Sequence, residues 1–105
     1  MKNILQLTHK DVVLDFFESR GDTICKLRSG DALNISEKYN SLYAKINGRI
    51  FPVAKFSKAF LERLGQLRAK GYRPDKAYVN FIVLWKGDKD TDETLVLLPT
   101  LHLTR

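Results

Sequence analysis

Apolar positions in residues 58–70 repeat at helical spacing. Phe60, Leu61, Leu64 and Leu67 fall on one face, while Lys58, Glu62, Gln66 and Lys70 lie on or near the other. Ser57 is placed to cap the start, Phe56 and Leu61 to form a hydrophobic staple across it, and Gly71 to occupy the first position beyond the end. The pattern then changes. Residues 78–85 contain no charge and are rich in β-branched and aromatic types, which predicts a well-buried strand. An amphipathic helix feeding an apolar strand is therefore the organising unit, and the other segments are read as packing around it.

Residues 3–7 predict a short strand. Thr8 with Asp11 three positions on imitates a capping box, and the pairs Val12-Val13 and Phe16-Phe17 recur at i, i+3 and i+4, so a helix is predicted to end near Arg20 and Gly21. The run VVLDFF also tolerates an extended reading. Residues 22–35 alternate weakly around the turn signal Ser29-Gly30-Asp31. Residues 42–46, Asn47-Gly48 and 49–51 predict a hairpin, because Asn-Gly supplies the two positive φ values of a type I′ turn; Pro52 marks an edge strand or a strand end. A turn is expected around Arg73-Pro74-Asp75. The long strand should end at Gly87 before an acidic loop at 88–93, and a return strand at 94–98 is interrupted by Pro99 before 101–103. The sum is an α+β domain over 1–105: an antiparallel sheet of four to five strands with the Ser57 helix, and the Asp11 helix, packed on one face.

Composition changes this picture little. With 44% hydrophobic and 29% charged residues the chain is neither disordered nor membrane-spanning, and an N-terminus without a sustained apolar core places it in the cytoplasm. One cysteine, Cys25, and two histidines, His9 and His102, supply no disulfide, no zinc set and no nucleophile beside a base; no catalytic residue, metal or cofactor is expected. The acids of the 88–93 loop lack the Gly and Glu of an EF-hand. No GxxxxGK[ST] or GxGxxG is present.

Charge changes it more. Residues 45–76 hold nine basic residues against two acids, Glu62 and Asp75, while the rest of the chain holds nine against ten. The whole positive excess therefore belongs to the central third. It suits phosphate contacts, with Arg49, Lys55, Lys58, Arg63, Lys70 and Arg73 as the residues to carry them, and it equally suits a solvated surface. At 100° per residue Arg63 and Lys70 share one flank of the helix, Arg68 takes the other and Lys58 points outward, which argues against one stripe reading a groove. The long strand offers a second surface. Strict alternation puts Val79, Phe81, Val83 and Trp85 on one face and Tyr78, Asn80, Ile82 and Leu84 on the other. Either the strand is central and covered twice, or Tyr78, Ile82 and Leu84 dock on another body.

The segments LTHKDVVLDFF, LRSGDAL, AKFSKAF, KGYRPDKAYVNFIVLWKG and a closing LLPTLHL resemble the C-terminal accessory region of some bacterial RecQ-family ATP-dependent DNA helicases, beyond their motor domains. The likeness spans nearly the whole chain. It implies a part of a larger protein acting in DNA repair and recombination, with the ATPase outside this chain. Walker motifs and the four zinc-binding cysteines of many RecQ proteins have no counterpart here, so none of those residues carries over. The region would assist by holding DNA or by docking against the helicase motor domains.

Overall fold

A computed structural model describes residues 2–18, 20–86 and 93–105. Six strands, β1 (Lys2–Gln6), β2 (Ala32–Ile35), β3 (Ser41–Ile46), β4 (Arg49–Lys55), β5 (Arg73–Lys86) and β6 (Glu93–Thr104), form one antiparallel sheet in the order β1-β6-β5-β2-β3-β4. Two α-helices, α1 (Gly21–Ile24) and α2 (Lys58–Ala69), and a 3-10 segment at Leu14–Phe17 complete the fold. The α+β class stands, with one strand more than expected: β2 grows out of the weakly patterned 22–35 stretch.

Register shows how the core is laid. Leu5 pairs with Leu101, Leu101 with Ala77 and Ala77 with Leu33, and all four are buried, so one row of directly opposed side chains crosses four strands on the inner face. Leu103, Leu42, Ala44 and Val53 extend that layer, and Phe60 and Leu64 of α2 close over it together with Phe17 and Ile24. Val53 is the extra residue of a bulge against β3, so Val53 and Ala54 are both buried.

The sheet curls until the segment that follows one outer strand meets the end of the other. The chain leaving β1 reaches the end of β4, where Val12 bridges Phe56, Val13 N–H donates to the Lys55 carbonyl (2.9 Å) and Ser57 N–H to the Asp11 carbonyl (2.8 Å). The 3-10 segment and α1 each lie against both β4, at one end of the strand order, and β6, next to the strand at the other end. This closure replaces the helix predicted from Asp11. Half of the capping box does form, with the Asp11 carboxylate accepting from Thr8 N–H at 2.8 Å, but the turn does not propagate. The β-branched Val12 and Val13 pair with residues more than forty positions away instead.

The organising helix and its two caps are as predicted. Ser57 Oγ accepts from Phe60 N–H (3.2 Å), and Phe56 is buried against the Phe60 ring, centroids 4.9 Å apart. At the other end Gly71 has φ 96°; its N–H donates to the Arg68 carbonyl and the Tyr72 N–H to that of Leu67, a Schellman close that needs a left-handed residue. The Asn47-Gly48 turn has both φ values positive, 51° and 80°, and β4 is an edge strand carrying Pro52.

Three expectations about the long hairpin change. β5 begins at Arg73, five residues early, and takes Pro74 and Asp75 into a bulge in place of a turn. Pro99 lies inside a continuous β6, opposite Val79 and next to a second bulge at Asn80. The strand end at Gly87 and the acidic residues 88–92 lie outside the described residues. Among the described residues no helix is long and apolar enough to cross a membrane.

Candidate nucleic-acid interface

The six basic candidates are all exposed, but they do not form one patch. Arg49 starts β4 at the hairpin turn and Lys55 ends it, six residues on, which separates them by roughly 20 Å of extended strand. Arg49 joins Lys26, Ile46, Asn47 and Phe51 around an open hollow of about 380 Å³. Lys58 opens α2. Arg63 and Lys70 share a flank of that helix about 10 Å apart along its axis, while on the other flank the Arg68 guanidinium lies 4.7 Å from the Tyr39 ring centre.

Lys70 and Arg73 stand on either side of the Gly71-Tyr72 close, and the structure adds a residue that the charge window leaves out. Arg105 follows β6, and because β6 pairs with β5 through Arg73 and Thr104, the last residue returns to the end of α2. Its guanidinium sits 5.6 Å from the Tyr72 ring centre, and its side chain passes 3.6 Å from where a Cβ on Gly71 would stand. Three exposed cations thus surround one helix C-terminus. Part of their placement serves the helix, whose carbonyl end favours positive charge. The strand pairing that carries Arg105 there was visible in the long hairpin, although its two bulges move the register by two residues.

The docking trio is divided. In β5 Asn80 is the extra residue between the pairs Val79–Pro99 and Phe81–Leu98. An extra residue reverses alternation beyond it, so Ala77, Val79, Ile82 and Leu84 share the inner face, and Tyr78, Phe81, Val83 and Trp85 the outer one. Backbone contacts hold the bulge: Gly30 N–H donates to the Val79 carbonyl (2.7 Å), Val79 N–H to that of Asp31 (2.8 Å) and Ser29 Oγ to that of Asn80 (2.7 Å). Tyr78 is therefore on the opposite face from Ile82 and Leu84. Phe81 and Leu84 are 59% and 63% exposed on opposite sides of the same arm, and Trp85 is stacked by His9 at 4.9 Å.

On the outer face the pairing lines up Thr104 with Arg73, Ile4 and His102 with Lys76, and Gln6 and Thr100 with Tyr78 and Ala32. The rings of Tyr78 and His102 meet edge to face, centroids 5.2 Å apart. His102 is thus half-buried beside a tyrosine. Compared with protein-family models, curated proteins and solved structures, the chain finds no match.

Proposed function

We propose that this chain is a non-catalytic module that holds DNA through sequence-independent phosphate contacts, acting as an accessory domain of a RecQ-like helicase whose motor lies outside it. The observation that carries the reading is the convergence of Lys70, Arg73 and Arg105 on the end of α2. Three exposed cations on one corner can neutralise neighbouring phosphates and release their counterions, whereas cations spread singly over a surface cannot act on one backbone segment. The spread of Arg49, Lys55 and Lys58 along β4 and into α2 suits secondary contacts by a longer strand. Nothing in the arrangement selects bases.

The test is fluorescence anisotropy with labelled DNA across a salt series. Binding is expected to weaken steeply with salt. Reversing Lys70, Arg73 and Arg105 together to Glu is expected to lower affinity at least about tenfold and to flatten the log–log salt slope by roughly two to three, one for each phosphate left without its cation. Arg49→Glu should cost less than the triple variant. No binding at low salt would sink the proposal.

A second reading rests on the distal arm of β5, where Phe81 and Leu84 expose large apolar side chains on opposite faces. Docking on another protein there would be insensitive to salt and lost in Leu84→Ser.

A further inference from the structure

Around Tyr78 and His102 the outer face of the sheet is partly exposed, and its composition is unlike that of an ordinary solvated surface. The six strands contain two acids, Glu93 at the far end of β6 and Asp75 in the first bulge of β5. Around Tyr78 and His102 the outward positions are instead basic, aromatic or uncharged. Lys76 pairs with His102, Arg73 lies beyond it, and Ile4, 55% exposed, flanks His102 on the β1 side. Extending the β2–β5 register by one residue sets Asn34 beside Lys76, and Asn34 pairs with Tyr43. Tyr78 has Ala32 as its neighbour on β2, a side chain too small to cover a ring. This row is continuous with the Lys70, Arg73 and Arg105 corner, because Arg73 belongs to both.

We propose that this face binds single-stranded nucleic acid, with unpaired bases stacked on Tyr78, His102 and Tyr43 and the backbone held by Lys76 and Arg73. The inference rests on the DNA-holding reading and narrows it to unpaired strands. Stacking decides for the single strand: every base has an open face once unpaired, while a duplex has already stacked its bases on one another and leaves these rings nothing to cover. The charge complementarity of a face with Arg73 and Lys76 and one carboxylate near them, Asp75, selects a polyanion over an apolar partner.

The experiment compares a fluorescein-labelled oligo(dT) with a labelled hairpin duplex of equal nucleotide content, using the full chain at low salt. Tyr78→Ala and His102→Ala are each expected to weaken oligo(dT) binding about tenfold, within the range for losing one stacked base, and to change duplex binding less than about twofold. Their salt slopes stay at the parent value, because every cation facing a phosphate is still in place, whereas Lys76→Glu lowers the slope for both probes. Tyr78→Phe keeps the ring and binds as the parent does. In case the alanine variants fold poorly, the His102 ring resonances of the unmodified chain are followed by NMR and are expected to shift as oligo(dT) is added. Equal losses on both probes, or His102 resonances unmoved by saturating oligo(dT), overturn this inference and leave DNA holding intact. Binding of neither probe overturns both.

Discussion

Ser57 joins two distant parts of the chain through one hydroxyl. Its oxygen accepts from the Phe60 N–H as a helix cap and donates to the Lys10 carbonyl (2.9 Å), tying α2 to the turn that follows β1. Ser57→Ala removes both bonds and is expected to destabilise the fold by about 1–2 kcal/mol, the upper part of the usual range for a cap. Ser57→Asp keeps the acceptor but loses the donor, so it should recover only part. Urea denaturation measures both, and an alanine variant as stable as the parent would show that neither bond matters. This cap, the Asn47-Gly48 turn and the Gly71 close are legible in the sequence because each is decided by the φ preference or side-chain oxygen of one residue. The Thr8 and Asp11 pair was equally legible and half formed, yet no helix followed from it, since local chemistry starts a turn without determining what the next residues pair with.

At the scale of elements, the two bulges of β5 separate pattern from structure. Alternation read straight through 78–85 puts Phe81 with Val79 on one face; the extra residue at Asn80 turns Phe81 outward and Ile82 inward, against the core. Nothing in the side chain of Asn80 announces this, because the bulge is fixed by Ser29, Gly30 and Asp31 on the turn before β2. The basic site was partly legible for the same reason: Lys70 and Arg73 are neighbours in sequence, whereas Arg105 arrives through strand pairing. A paired substitution tests the reversed alternation. Ile82→Ser should cost about 1–2 kcal/mol by exposing a cavity and burying a hydroxyl, and Phe81→Ser should stay within about 0.5 kcal/mol of the parent. The opposite ranking by urea denaturation would restore unbroken alternation and reunite Tyr78 with Ile82 and Leu84.

For the molecule as a whole the question is what keeps a curled sheet with two edges from opening. β1 and β4 end the strand order, and open edges invite both fraying and pairing with other chains. The answer given by the geometry is the short seam of Asp11, Val12 and Val13 against Lys55, Phe56 and Ser57, with Val12 and Phe56 both buried beneath it. Val13 has φ −81° and ψ 108°, close to what proline adopts, so Val13→Pro deletes the N–H that donates to Lys55 while fitting the backbone. Replacing a residue by proline at a compatible position normally stabilises by restricting the unfolded chain. Here the lost bond should outweigh that gain and give a net loss of about 1 kcal/mol. Hydrogen exchange locates the effect: the amides of Phe56 and Ser57 should lose protection in the variant, and those of Leu101 and Ala77, in the centre of the sheet, should keep theirs. If protection falls evenly everywhere, or the variant is more stable than the parent, the seam is a consequence of the curl, and the core row of Leu5, Leu101, Ala77 and Leu33 holds the sheet closed without it.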